Sequence, residues 1–354
     1  MRRRQLRKTG SRQIGIYVFG VIFALLGGAI LLFASHAATF AVASEAEQGV
    51  LAGSTSTFND PSGSNGAAVR FGALSSNTLH YTANVGSGQA AAVSLGYNLL
   101  DITGSTTNPN GTKSIVDALP NGVRGLVWVG NLGNAPLNAS CPAPGFTNVQ
   151  FQSLVDTLNG DSKVYGYFLA DEPHPSVCPN AASDIKARAD YIHAHAPAQK
   201  SFIVVLDGSN ACPNGLGCEY NALQPSKTDV DLFGIDPYPC HYNGTTAVPC
   251  DNTKITGSVQ TAEANGIPAA QIVPVFQTFG QEGRSDSGTV YYRTPTVSEL
   301  TSMISTWNNL IAHPAFDYAY TYGVQCSANS CPAPQAISNH PELQTVVQAH
   351  NAGN

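Results

Sequence analysis

The sequence predicts a (β/α)8 barrel, an α/β fold of TIM-barrel type, over residues 79–354, preceded by a single apolar helix and a short spacer. Three observations point there. Eight short apolar runs alternate with helix-length segments, the span of about 275 residues suits eight such units, and nearly every run ends in a carboxylate, an amide or a phenol.

The chain opens with a basic tail, residues 1–13, in which six of the 17 Lys+Arg precede position 13 and no Asp or Glu occurs before Glu45. Twenty uncharged residues follow, Ile14 to Phe33. As a helix they would span about 30 Å, the thickness of a hydrocarbon core. A basic flank before and acidic chain after predict a cytoplasmic N-terminus with the rest outside. Within this segment, 14–37, the small residues of Ala34-Ser35-His36-Ala37-Ala38 offer a cleavage point after Ala37. Retained anchor and cleaved signal both stay open. The expected location is extracellular or at the cell surface, with the membrane a partner if the helix is uncleaved.

Without the tail, 11 basic residues face 23 acidic ones, a net of −12. Such a body repels phosphate backbones, which argues against nucleic acid as a partner. Only 11% of residues are charged and 43% are hydrophobic, which suits neither a coiled coil nor a charged disordered tail. A monomer without metal or organic cofactor is expected.

Residues 38–78 are rich in Gly, Ser, Thr, Asn and Ala and read as a spacer with a short hairpin. From there the apolar runs are Leu79–Ala83, Tyr97–Thr103, Arg124–Asn131, Val164–Glu172, Ser201–Asp207, Val230–Tyr238, Ile272–Phe279 and Phe316–Tyr322. Near-continuous apolar runs such as Gly125–Val129 and Phe202–Leu206 suit parallel strands covered on both faces. Helices are expected at Asn148–Leu158, Ala181–His195, Ser258–Asn265 and Thr296–Ala312, with a last one from Pro341. Thr296 and Glu299 have the spacing of a capping box. An open doubly wound sheet is the competing fold, but Gly86-Ser87-Gly88 lacks the third glycine of a phosphate turn.

In a barrel of this kind, reactive groups gather at the C-terminal strand ends. Those ends carry Asp101, Asn131, Asp171-Glu172, Asp207, Asp236, Gln277-Thr278, and Tyr320 with Tyr322. Side chains alternate along a strand, so only one of Asp171 and Glu172 faces the mouth. Glu172 shares parity with Gly166, Phe168 and Ala170 and is assigned inward. Trp128 reads as core or as a ligand contact, and His80-Tyr81 as possible lining of the site. His174 is expected at the surface.

All eight cysteines fall in loops beyond these ends. An even count in an exported chain suggests disulfides. Proximity favours Cys212–Cys218, Cys240–Cys250 and Cys326–Cys331, leaving Cys141–Cys178. No C-x-x-C pair supports zinc, and His193 and His195 lie on different helix faces. G-x-S-x-G, phosphate-loop and H-E-x-x-H motifs are absent, so a serine hydrolase of that type, an NTPase and a zincin lack support.

The run Val164–His174, with Ala170-Asp171-Glu172-Pro173, resembles the fourth strand of the clan of (β/α)8 glycoside hydrolases whose acid/base glutamate sits in Asn-Glu-Pro. The resemblance implies that Glu172 is the proton donor, while Asp171 replaces the asparagine that contacts the sugar 2-hydroxyl. Phe233–Pro239 resembles the sixth strand, where a tyrosine, here Tyr238, faces the sugar. Pro274–Gly280 resembles the seventh, but Thr278 stands where the clan has its nucleophilic glutamate. The second carboxylate is then expected from Asp236, with Glu282 as the alternative. Asp171, Tyr238, Gln277, Tyr322, Asp101, Asn131 and Asp207 are the expected sugar contacts. Ser44–Gly49 and Gly66–Gly72 resemble the first strands of a β-sandwich carbohydrate-binding module, over about a quarter of its length. The implied function is hydrolysis of a polysaccharide or cell-wall glycan. A glycan-binding or adhesion protein on the same barrel is the alternative.

Overall fold

The computed structural model describes residues 55–59, 67–71, 78–105, 107–130, 147–206, 217–285, 288–327 and 330–353. The basic tail, the apolar segment at 14–37, Asn131, Asp207, Cys141 and Cys212 lie outside the described residues. Among the described residues no helix is long and apolar enough to cross a membrane. The chain divides into two compact units, Met1–Ser75 and Ser76–Asn354. In the first, Thr55–Asn59 pairs antiparallel with Ala67–Phe71.

The second unit is a closed barrel of eight parallel strands. They are β1 (Leu79–Thr82), β2 (Leu99–Thr103), β3 (Arg124–Trp128), β4 (Val164–Asp171), β5 (Lys200–Val205), β6 (Leu232–Ile235), β7 (Ile272–Gln277) and β8 (Phe316–Tyr320). Each pairs with its neighbours in sequence, and β8 closes on β1 with Phe316 opposite Leu79 and Ala319 opposite Thr82. Helices α1 (Gln89–Ser94), α2 (Pro109–Asp117), α3 (Asn148–Leu158), α4 (Ala181–His195), α5 (Cys218–Leu223), α6 (Pro225–Thr228), α7 (Thr253–Ala264), α8 (Val297–Leu310) and α9 (Pro341–Ala352) fill the intervals. The strand ends are earlier than the apolar runs suggest. Strand β6 stops at Ile235 because Pro237 and Pro239 have no N–H to donate to a ladder.

The expected capping box of α8 forms, the Thr296 hydroxyl meeting the Glu299 N–H while Glu299 returns to the Thr296 N–H. A second box, Thr147 with Gln150, starts α3. Two layers of apolar side chains follow from the strand period. Tyr81, Leu99, Leu126, Tyr165, Phe168, Phe202, Leu232, Val273, Phe316 and Tyr318 fill the barrel, whereas Leu100, Val127, Ile203, Phe233 and Ile272 pack outward with the helices. Aromatic edges interlock inside, with Phe168–Phe202 centroids 4.7 Å apart and Phe202–Phe316 5.0 Å apart. Each such ring, fully buried, contributes about 1.5–3 kcal/mol.

Strand β4 departs from strict alternation. Toward β3, Gly125 faces Val164 and Leu126 faces Gly166, so Tyr165 is extra; toward β5, Phe168 faces Phe202 and Ala170 faces Ile203, so Leu169 is extra. A bulge at each point advances the side-chain phase by one residue. At Gly166 β4 lies close against β5, for a Cβ there would lie 2.0 Å from the Lys200 carbonyl oxygen.

Candidate active site

The two bulges decide which acid looks into the barrel. Tyr165 and Phe168 pack inside, Leu169 and Ala170 both pack outside, and Asp171 lines a cavity of about 350 Å³ at the mouth. Alternation alone puts Glu172 inward; the bulge at Leu169 gives that place to Asp171. Glu172 sits one step beyond the strand, its N–H still donating to the Val204 carbonyl at 3.0 Å. Its φ is +48°, in the left-handed region that costs a side-chain-bearing residue about 1–2 kcal/mol. Asn84, Tyr238 and Asp229 are the other non-glycine residues with positive φ among those described. Asp229 ends α6, but Asn84, Glu172 and Tyr238 all follow barrel strands at the mouth. Strain of this kind concentrates where side chains are aimed for a purpose.

The cavity is walled by Tyr81, Asn84, Asp101, Trp128, Phe168, Asp171, Tyr318, Tyr320 and Gln325, which come from the ends of β1, β2, β3, β4 and β8 and the loop after β8. Trp128 stands edge-on to Phe168 with centroids 4.8 Å apart, so it belongs to the mouth as well as to the core. Asp101 accepts from the Asn84 N–H at 3.3 Å and from the Tyr81 hydroxyl at 3.5 Å. Burial outweighs these bonds and pushes its carboxyl up to about 6. Asp171 goes higher, to about 7, first through burial and then through the charge of Glu172.

Asp236, beyond β6, is 2% exposed, and neither of its carboxylate oxygens has a partner at full hydrogen-bond geometry. Burial, then the charge and carboxyl of Glu172, then Asp171 raise it well above the usual range; Tyr238 opposes them weakly. Asp236, expected from the sequence as the second carboxylate, is thus a buried acid with an added affinity for a proton. Tyr238 packs against Phe279, Tyr292 and Tyr320 at centroid distances of 5.0, 5.5 and 6.0 Å, making an aromatic wall beside the acids.

Other expected site residues lie elsewhere. The Gln277 amide is spent on main chain: its Oε1 accepts the Cys240 N–H at 2.8 Å, and its Nε2 donates to the carbonyls of Cys240 at 2.8 Å and Arg293 at 3.0 Å. It fastens two loops and offers nothing to a sugar. Tyr322 packs in the outer layer, its ring occupying the space a Cβ on Gly88 would need; Tyr320 takes the mouth position instead. Glu282 accepts from the Thr294 N–H at 2.8 Å and the Thr294 hydroxyl at 3.0 Å, and is not among the groups acting on Asp171 or Asp236. Thr278 is fully buried.

His174 is buried rather than exposed, its Nδ1 3.7 Å from Glu219, which also accepts the Ser176 hydroxyl at 2.5 Å. His80 points away from the mouth, bonding Asp317, because its neighbour Tyr81 takes the inward place. Tyr81 lines the cavity as its place in the first strand suggests, whereas Tyr318 and Gln325 have no counterpart among the expected site residues. Phe316, Tyr318 and Tyr320 share one parity, which is the available signal for the tyrosines. Gln325 comes from a loop and leaves none. The disulfides Cys240–Cys250 and Cys326–Cys331 form as expected. Cys178 and Cys218 are also disulfide-bonded, but the pairings expected for them involve residues outside those described.

No family model matches the sequence, and no curated protein does. Solved structures do. A β-galactosidase from the psychrophilic Marinomonas ef1 superposes with a TM-score of 0.52 at 7% identity, over 77% of this chain and 59% of the galactosidase. A chitinase from Chromobacterium violaceum ATCC 12472 gives 0.46 at 14% identity, over 78% of this chain and 99% of that one. A fungal endo-β-N-acetylglucosaminidase from glycosyl hydrolase family 18 gives 0.40 at 15% identity, over 72% and 87%. The likeness is one of fold: a closed (β/α)8 barrel distantly similar to glycoside hydrolase barrels.

Proposed function

We propose that this chain is an exported glycoside hydrolase acting on a polysaccharide or cell-wall glycan at the C-terminal mouth of its barrel. The observation that carries the proposal is the acid cluster, in which Glu172 acts electrostatically on both Asp171 and Asp236 beside an aromatic-walled cavity. Asp171 and Asp236 are both raised, first by burial and then by Glu172, which favours a protonated acid beside an ionised one. Glycoside hydrolysis needs that pairing.

In the proposed step Glu172 meets the glycosidic oxygen. The bond from the anomeric carbon to that oxygen breaks as the oxygen takes a proton from Glu172. Water supplies hydroxide to the anomeric carbon and its second proton to an ionised carboxylate, for which Asp171 is the cavity-lining candidate. Asp236, buried and interacting with Glu172, passes a proton to Glu172 and regains one when Asp171 releases the proton it took from water. Trp128 and Tyr320 offer faces for stacking on sugar rings. Asp101 and Tyr238, with Asn131 and Asp207, would complete the sugar contacts.

One observation favours a second proposal, a glycan-binding protein without turnover. Thr278, buried at the end of β7, replaces the carboxylate that the resembled enzymes carry. Reducing-end release from a panel of polysaccharides separates the two. Hydrolysis by the wild type that disappears in Glu172→Gln, with glycan binding retained, supports the enzyme. Binding without release by the wild type across the panel would leave the binding protein.

A further inference from the structure

We propose that His80, Asp317 and His350 form a binding site for one divalent transition-metal ion of the zinc class, on the outer side of the seam where the barrel closes. The three residues come from β1, β8 and α9. His80 Nδ1 lies 2.9 Å from Asp317 Oδ2, and His350 Nε2 lies 2.8 Å from the same oxygen. One ligand atom from each residue falls within 4.8 Å of the other two. His80 and Asp317 are 1% and 3% exposed, and the imidazoles stand edge-on with centroids 5.2 Å apart.

Two imidazole nitrogens and one carboxylate are the donor set that zinc accepts at about 2.0–2.2 Å. Around a tetrahedral ion such donors lie about 3.3 Å apart, so the two gaps to Asp317 need open by only a few tenths of an ångström, and the two ring nitrogens already lie within 4.8 Å of each other. His350 also borders a groove between α8 and α9, lined by Ile304, Asn308, Val346 and Ala349 among others.

Charge argues in the same direction. Asp317 is a buried carboxylate whose charged partners among the described residues are these two histidines, with no Lys or Arg paired to it. A dication bound among them would place positive charge beside this buried carboxylate. Binding breaks no covalent bond. His80 Nδ1 and His350 Nε2 present lone pairs to the ion, their protons reside on the opposite ring nitrogens, and two hydrogen bonds to Asp317 give way to metal bonds. The ion would join the first strand, the last strand and the final helix.

The test uses the full-length untagged chain, stripped with a chelator and titrated with Co2+ as a spectroscopic probe, then with Zn2+ in competition. One equivalent of Co2+ should bind with the intense visible bands of a low-symmetry tetrahedral site, Zn2+ should abolish them, and Tm should rise with Zn2+ concentration. His350→Gln and His80→Gln should each weaken binding by about tenfold or more. His193→Gln, at the separate pair with Asp229 and Asp231, should leave it unchanged. Absence of stoichiometric binding by the wild type overturns the site, as does binding that survives both substitutions or is lost with His193. Should His80→Gln fail to fold, the wild-type spectrum and the helix-borne His350→Gln decide.

Discussion

The carboxyl of Asp236, buried beyond β6, is pushed well above the usual carboxylate range chiefly by its burial and then by the Glu172 carboxyl beyond β4, while both its oxygens lack a full hydrogen bond. Replacing it with an isosteric amide separates its proton from its shape. In the hydrolase proposal Asp236→Asn should fold normally and lower kcat by about 100-fold, the lower end expected for acid–base groups, with KM little changed. Rates of reducing-end release between about pH 4 and 9 check this. A variant with wild-type kcat would remove Asp236 from the proton path.

Asp171 and Asp101 carry a stability cost with a definite sign. Their carboxyls are raised to about 7 and about 6, so the folded chain binds their protons more tightly than the unfolded chain does. Each therefore destabilises the fold as pH rises from about 4 through its folded value. Asp171→Asn should stabilise the protein at about pH 8 by about 1–3 kcal/mol and do little near pH 4. Asp101→Asn should show the same trend over a narrower window. Tm measured against pH for the three proteins reads the effect, and a variant less stable than wild type at high pH contradicts it.

Much of this architecture was legible because buried parallel strands leave near-continuous apolar runs, and because Thr296 and Glu299 announce their helix locally. Strand ends rich in acids marked the end of the barrel where the cavity and the neighbouring carboxyls lie. What failed was phase. The register slips at Tyr165 and Leu169 are set by pairing with β3 and β5, so no local pattern shows that Asp171 and not Glu172 lines the cavity. Gln277 failed for a related reason. An amide at a strand end can face a ligand or a neighbouring loop, and Cys240, Arg293 and the fold that brings them there decide which.

Gln277 thus yields a test of its own. Gln277→Leu keeps most of its volume and leaves the Cys240 N–H and the Arg293 carbonyl without partners in a buried place, while the Cys240 carbonyl keeps the Arg293 N–H. The loss should be about 2–4 kcal/mol, read as a lower urea midpoint. Amide exchange at Cys240 should quicken. Glycan affinity per folded molecule should be unchanged, and a selective loss of affinity at constant stability would return Gln277 to the sugar site.

Gly166 tests the close contact between β4 and β5. A methyl group there meets the Lys200 carbonyl oxygen, a backbone atom that cannot rotate away, so one strand must move. Gly166→Ala should cost about 3 kcal/mol or more by denaturant unfolding. It should also disturb Asp171, which lies on the same strand beyond the second bulge. A silent substitution would mean that the bulged strand has slack to separate from β5.

Asp317 should behave with the opposite sign to the acids of the mouth. Its burial would raise it, but the hydrogen bonds from His350 and His80, followed by the charge of His80, outweigh that and hold it below the usual carboxylate value. A depressed carboxyl contributes stability that is present above about pH 4 and is lost as pH falls through the folded value. With chelator present, Asp317→Asn should cost about 3–5 kcal/mol at neutral pH, the range for breaking a buried charged network. That gap should close on acidification below about pH 4, where the wild type loses the same charge. Paired urea titrations at neutral and acidic pH measure it. A gap that stays constant across that range would mean that Asp317 acts through its shape and hydrogen bonds, and not through its charge.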